Sequence, residues 1–149
     1  MALTSSTRWR LLLPGLWAGW LLCVVLLATP APFALLAGAD AGRVAARMLA
    51  QEAWTSVALG VAVLWLERNA AAGRGLRFDP GMGMALVALA CTGLGYFAVL
   101  PLMAAARAGQ GVLGFAALHA ISSTFFAVKL TAVLALAWRA TRATARTSS

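Results

Sequence analysis

Two long stretches of the sequence carry no charged side chain. Residues 11–39 and residues 80–106 contain no Asp, Glu, Lys or Arg. Each stretch is longer than the roughly 20 residues that a helix rising 1.5 Å per residue needs to cross a hydrocarbon core. Each stretch therefore predicts a transmembrane helix.

Two further apolar runs contain a few ionisable groups. The first run holds Glu52, and the second holds His119 and Lys129. With the two charge-free stretches they predict an all-α fold, a polytopic membrane protein built as a bundle of four transmembrane helices. We expect one membrane domain over residues 1–149, with helices at about 11–34, 48–66, 82–105 and 113–138 and short basic tails at 1–10 and 139–149.

The composition agrees with a membrane protein and argues against a soluble domain. Hydrophobic residues make up 62% and charged residues 11% of the chain, against roughly 45–50% and about 25% in soluble domains. The net charge of +8 does not indicate nucleic-acid binding, because the arginines are scattered over tails and a loop. The partner expected from this composition is the lipid bilayer.

The basic residues are distributed unevenly between the two sides of a four-span topology. Eight lie in the two tails and in the loop between helices 2 and 3, and three lie on the other side. The positive-inside rule then predicts that both termini are cytoplasmic. Eleven arginines against one lysine, with abundant alanine and glycine, suggest a bacterial inner (plasma) membrane protein. The eight are Arg8, Arg10, Arg68, Arg74, Arg77, Arg139, Arg142 and Arg146.

The stretch LLATPAPFALL places Pro30 and Pro32 late in the first span. Pro30 falls about 28 Å along the helix from Leu11, close to one bilayer thickness. We expect both prolines to mark the exit of helix 1, and Pro101 to mark the exit of helix 3. A cleaved signal peptide is the alternative, although the apolar run is longer than usual for one.

Small and aromatic residues of helix 1 suggest how it meets its surroundings. Gly15 and Gly19 form a GxxxG pattern, which predicts close packing on a neighbouring helix, inside this bundle or in a homo-oligomer or membrane partner. Trp9, Trp17 and Trp20 suit the membrane interface and the first turns. Cys23 and Cys91 are expected to be buried apolar residues.

Helices 1–2 and helices 3–4 suggest two helix-pair repeats. Each pair consists of an apolar span with a proline near its end, then a short loop, then a span that contains polar residues. The segment QEAWTS can be aligned with LHAISS, which pairs Glu52 with His119 and Ser56 with Ser123.

These segments resemble the transmembrane protein 205-like family, also catalogued as domain of unknown function 4149. The resemblance rests on GLWAGWLLCVVLLATPAPFALL, ADAGRVAARML and FAALHAISS, and it covers nearly the whole chain. It implies a four-helix membrane protein whose biochemical function is largely unsettled. The matching positions are Pro30, Pro32, Phe33, Ala41, Gly42, His119 and Ser122.

Polar side chains within the spans form the candidate site. Glu52 lies about 24 Å above the arginines that flank the inner side of the membrane, and His119 and Lys129 lie about 30 Å and 15 Å above them. Glu52, Tyr96 and His119 are expected to share a layer in the outer half, and Ser122 lies on the His119 face. Glu52 would accept a proton or cation, His119 would carry a proton or bind a ligand, and Lys129 would be a buried cation or a contact for an anion. Alternatively, Glu52 and His119 are hydrated at the interface and Lys129 extends toward it.

No catalytic or metal-binding motif is present in the sequence, so we expect neither an enzyme nor a bound cofactor. One histidine cannot supply a zinc triad, and no phosphate-binding loop occurs. The remaining functions are a small transport-related membrane protein and an accessory protein without chemistry of its own. A haem- or metal-binding redox protein, with His119 as a ligand, is the alternative.

Overall fold

The computed structural model describes residues 5–145, and no strand occurs in that part of the chain. Four helices in it are long and apolar enough to cross a membrane, so the predicted all-α, multi-pass architecture is confirmed. Arg146 and the outermost parts of both predicted tails lie outside the described residues. The helices are α1 (Ser5–Leu35), α2 (Gly38–Ala72), α3 (Pro80–Arg107) and α4 (Phe115–Ala145).

Short connections join the four helices. Residues 36 and 37 alone separate α1 from α2, so α2 begins about ten residues before the predicted start at residue 48. Asp79 caps α3 by accepting a hydrogen bond from the Gly81 amide at 2.7 Å, and Pro80 follows it at the first helical position, where proline is favoured. Two glycines with positive φ, Gly109 and Gly111, form the turn between α3 and α4.

Both odd-numbered helices contain a π-helical segment shortly before a proline. The segments are Val24–Ala28 in α1 and Gly93–Ala98 in α3. In α1 the Thr29 amide bonds to the Val24 carbonyl five residues earlier, at 2.8 Å. A proline has no N–H for the carbonyl four residues before it, so the helix next to it widens.

The prolines do not end the helices, which corrects the predicted exits. Pro30 and Pro32 belong to a short helical stretch that continues to Leu35, and the chain leaves the helix at Leu36, whose backbone is extended. α3 likewise continues past Pro101 to Arg107. A proline at the start of a resumed helix costs little, because the N–H of that position has no helical partner.

The half of the bundle that contains the start of α1 and the end of α4 is tightly packed around an apolar core. Within it each helix contacts its two neighbours, so that α1, α2, α3 and α4 form a square with α1 and α4 adjacent. Trp17 lies in this core with 0% of its surface exposed, so its expected place at the membrane interface is wrong. The core residues are Trp17, Ala18, Leu21, Val63, Ala85, Ala88, Val133 and Leu136.

Beyond the π-helical segments the bundle separates into two helix pairs. The last part of α1, Pro30–Leu35, contacts α2 and no other long helix among the described residues. The last part of α3, Val99–Arg107, contacts α4, and its backbone makes no contact with that of α2. The pairs α1/α2 and α3/α4 therefore diverge at this end, and we call the space between them the cleft.

Ion pairs join the helices at the opposite end, which we call the basic end. Arg10 of α1 donates to Glu67 of α2 at 2.8 Å, and Asp79 accepts from Arg139 of α4 at 2.6 Å and from Arg74 at 2.7 Å. Burial raises the pKa of Asp79. The hydrogen bond from the Gly81 amide and the charges of Arg139 and Arg74 together lower the pKa by more than burial raises it, so the pKa lies below its ordinary value. Asp79 therefore stays ionised at neutral pH.

The close helix contact occurs at a glycine other than the predicted ones. A Cβ atom on Gly15 or Gly19 would meet nothing within 4 Å, because both face outward from the bundle. A Cβ atom on Gly60 would lie 2.6 Å from Leu89 and 3.1 Å from Trp17. The predicted packing of the GxxxG pattern inside this bundle is therefore wrong, and its use by a partner stays a prediction.

We expect Gly60→Ala to lower the free energy of unfolding by about 1–3 kcal/mol, since the added methyl group overpacks the α2–α3 contact. Gly19→Ala is the matched control, because the same methyl group has open space there. Unfolding of the purified protein in detergent measures both. Equal stability of the two variants would contradict the described packing.

Candidate functional site

A buried ion pair joins the two helix pairs. Lys129 Nζ of α4 donates to Glu52 Oε1 of α2 at 2.7 Å. Each residue is 3% exposed. Because α2 and α4 are diagonal in the square, this contact crosses the centre of the bundle.

Hydrogen bonds extend the ion pair to α1. Ser56, one helical turn after Glu52, donates to the same carboxylate oxygen, Oε1. Trp17 Nε1 in turn donates to Ser56 Oγ at 2.9 Å. Glu52 and Ser56 share a face of α2 because they are four residues apart. The carboxylate is thus held in place from α1, α2 and α4.

Side-chain direction explains how residues at different depths meet. The sequence places Glu52 about 9 Å farther from the basic end than Lys129, counted along the helices. Side chains in a helix tilt toward its N-terminus, and α4 begins at the end away from the basic end. The long Lys129 side chain therefore extends toward Glu52, and its ammonium also lies 4.8 Å from the centre of the Phe126 ring.

A partly enclosed cavity of about 50 Å³ lies next to the ion pair, between α2, α3 and α4. A water molecule needs roughly 10–15 Å³ of such space, counted as the volume that the centre of a water molecule can occupy. The cavity therefore has room for several water molecules. It begins where the tightly packed core ends and lies at the base of the cleft. Its lining residues are Leu49, Glu52, Cys91, Thr92, Gly95, Tyr96, Leu100, Ser122, Phe126 and Lys129.

The two oxygens of the Glu52 carboxylate differ in their hydrogen bonds. Glu52 Oε1 accepts from both Ser56 and Lys129, whereas no described residue donates to Oε2. No fully buried side-chain oxygen or nitrogen among the described residues lacks a hydrogen-bond partner. Oε2 is therefore not fully buried, and the cavity that Glu52 lines is the described open space next to this side chain.

The π-helical segment of α3 contributes a backbone oxygen to the same wall. Ser122 Oγ donates to the Gly95 carbonyl at 3.3 Å. Gly95 allows α4 to approach, because a Cβ atom there would lie 3.0 Å from Phe125 Cβ. Tyr96 follows Gly95 and packs edge-on against Phe97, with ring centres 5.0 Å apart. The wall thus combines a carbonyl, two hydroxyl groups and an aromatic face.

Four of the five residues predicted as the polar site lie together at this cavity. They are Glu52, Tyr96, Ser122 and Lys129. His119 is the exception, since it is exposed and stacks on Phe115 with ring centres 5.9 Å apart. At about 100° per residue His119 lies about 60° around α4 from Ser122, enough to take it out of the cavity wall.

Sequence reasoning missed the residues that support the carboxylate from α1 and α2. Trp17 was expected at the interface, and Ser56 was considered only for the repeat. The spacing of Glu52 and Ser56 was the available signal for their contact. Of the two cysteines Cys91 is buried in the cavity wall, whereas Cys23 is exposed, against expectation.

No group of three His, Cys, Asp or Glu side chains that could hold a metal ion occurs within residues 5–145. Cys91 is the cavity residue with a thiol, and neither Thr92 nor Gly95 beside it adds a second His, Cys, Asp or Glu ligand. Thr92 instead donates to the Ala88 carbonyl of its own helix at 2.9 Å.

Residues 12–111 match the family described as Domain of unknown function (DUF4149). The chain belongs to this family. The DUF4149 match runs from α1 to the turn before α4, so it includes Glu52 and Tyr96 but not Lys129 or Ser122. No curated protein and no solved structure matches the chain.

We expect Glu52→Gln to lower the free energy of unfolding by about 3–5 kcal/mol, because it leaves the Lys129 ammonium buried without a counter-ion. Adding Lys129→Met should restore most of the loss, since it removes the unpaired charge. Unfolding in detergent measures both variants.

Glu67→Gln is the matched control, because it removes the same charge from a second ion-paired glutamate of α2. Its partner Arg10 is partly exposed, so the loss should be smaller. An equal loss in Glu52→Gln and in the double variant Glu52→Gln/Lys129→Met would contradict the pairing.

Proposed function

We propose that this DUF4149 protein is a proton-linked transport protein of the bacterial inner membrane, similar to the transmembrane protein 205-like type. It is not an enzyme in this proposal, and its transport element is the Glu52–Lys129 ion pair at the base of the cleft. The observation that carries the proposal is the position of this pair, which is buried among transmembrane helices and borders a cavity.

The free-energy cost of charges in a membrane supports a functional role for the pair. An ionised side chain at the centre of a bilayer costs roughly 2.5–3.5 kcal/mol on insertion scales, and such residues commonly mark ion and proton pathways. A structural bundle could place apolar side chains here, since hydrophobic replacement of a buried ion pair is often neutral or stabilising.

The division of the bundle into two helix pairs supports transport over a purely accessory role. Glu52 belongs to the pair α1/α2 and Lys129 to the pair α3/α4. When the two helix pairs move apart or together, the ion pair therefore breaks or forms. Transporters with parallel repeats move substrate by rocking one repeat against the other around a central site. The π-helical segments lie where the pairs diverge and can accommodate this motion.

In our proposal the basic end is cytoplasmic and the cleft opens to the outer side. Arg10 and Arg139 both lie at the basic end, so the start of α1 and the last turns of α4 are on one side of the bundle. Three tryptophans at this end, Trp9, Trp65 and Trp138, are more than half exposed, which suits an aromatic belt at the membrane interface.

The partners in this proposal are the lipid bilayer and a homo-oligomer or another membrane protein, with no role for nucleic acid. Gly15 and Gly19 face outward and would let a partner helix approach closely. The haem- or metal-binding alternative depends on His119, and because His119 lies away from the cavity, the cavity geometry supports proton-linked transport instead.

Proton flux into liposomes that contain the purified protein and a trapped pH indicator tests the proposal. With sodium and potassium chloride on both sides and a pH step applied outside, we expect protein-dependent flux. Glu52→Gln/Lys129→Met should reduce the flux to that of empty liposomes, because it removes both titratable groups while it avoids an unpaired buried charge.

Glu67→Gln is the matched control for this assay and should keep the wild-type flux. Wild-type flux equal to that of empty liposomes would contradict a transport function. Unchanged flux in the double variant would contradict the role of the ion pair.

A further inference from the structure

The open oxygen of Glu52 makes the cavity a binding site with a distinct chemistry. The side chain is more than nine-tenths buried and lines the cavity, yet its Oε2 atom has no partner among the described residues. An unpaired carboxylate oxygen in low-dielectric surroundings attracts a cation strongly. A positive ligand at this oxygen would compete with the Lys129 ammonium for the single negative charge of Glu52.

The other polar groups of the cavity wall favour the same ligand. Three lining residues carry a hydroxyl group, Ser122, Tyr96 and Thr92, and Ser122 donates to the Gly95 carbonyl; Cys91 adds a thiol. Oxygen ligands are those that hard metal cations prefer. The volume of about 50 Å³ has room for a small ion with a few water molecules.

Lys129 already occupies one position of this site with a positive charge. Its Nζ lies 2.7 Å from Glu52 Oε1, at the distance of a charge-assisted hydrogen bond. A single carboxylate neutralises one monovalent cation, so a bound cation and the ammonium compete for Glu52. An ammonium that loses its counter-ion in a low-dielectric site is so costly that it gives up its proton.

We propose that the cavity binds a small monovalent metal cation at Glu52 in exchange for the proton of Lys129. This inference rests on the proposed function and names its cargo. On binding, the cation contacts the Glu52 carboxylate, one N–H bond of the Lys129 ammonium breaks, and the proton passes through cavity water to the solvent. The site then holds a neutral amine and a cation–carboxylate pair, so its net charge remains zero.

The charge balance explains why a lysine is useful at this position. With Lys129 protonated and paired, the empty site is neutral and can exist within the membrane. With the cation bound and Lys129 neutral, the loaded site has the same charge. The two helix pairs can then move in either state without carrying an unpaired charge through the membrane, and each cation exchanges for one proton.

Proton release from the protein in detergent tests the exchange directly. Purified protein in weak buffer with a pH indicator is titrated with lithium, sodium or potassium chloride, and N-methylglucamine chloride serves as a cation too large for the cavity. We expect at least one of the three metal ions to cause saturable release that approaches one proton per chain. N-methylglucamine should cause none.

The double variant Glu52→Gln/Lys129→Met should release no proton, while Glu67→Gln should behave as the wild type. Equal release with metal ions and with N-methylglucamine, or release that persists in the double variant, would overturn the exchange. Because this assay needs no membrane, release without liposome flux would refute the transport function alone. Flux without cation-dependent release would refute the exchange alone.

Discussion

The ion pair between Glu52 and Lys129 is the contact on which the arrangement of the helices depends. A charge within the membrane must be paired, because its desolvation is not otherwise compensated. The two partners lie on diagonal helices, so their contact fixes the centre of the bundle and not only one interface. Ser56 and Trp17 extend the same constraint to α1.

The ion pair also divides the bundle into two unlike halves. On the side of the basic end, apolar residues such as Val63, Ala88 and Val133 fill the centre and all four neighbouring helices are in contact. On the other side the helix pairs diverge, and a cavity borders the carboxylate. The division falls near the π-helical segments of α1 and α3. A charged contact, a change in helix type and an open space thus coincide at one depth.

The architecture followed from the sequence because membrane spans are set by length and hydrophobicity. The gaps between charges are enough to locate four helices, since every backbone group in lipid must be bonded within the helix. The ends of the helices were harder to predict from the sequence, because α2 continues through a polar segment and Pro30 and Pro101 lie within helices. A proline disrupts a helix only where a backbone carbonyl requires the N–H that proline lacks. The sequence does not show where a π-helical segment changes the hydrogen bonds so that no carbonyl requires it.

The candidate site was predictable in its residue types and not in its geometry. An ionisable residue inside a span is a strong signal, which is why Glu52, Tyr96 and Lys129 could be predicted, whereas Ser122 was predicted from its spacing to His119. Counting residues gives the depth of a backbone atom, but it gives neither the reach of a lysine side chain nor the rotation of a helix. Those two quantities bring Lys129 to Glu52 and leave His119 outside.

Exchange of the two charges tests most directly whether the pair joins the helices. Glu52→Lys and Lys129→Glu each place two like charges side by side, and each should abolish the folded protein. The combination of both should restore a folded protein, because the opposite charges and the summed side-chain length return. The measurement is the yield and unfolding temperature of the purified protein in detergent. Recovery in the double exchange is the predicted result, and a double exchange no more stable than either single variant would contradict the account.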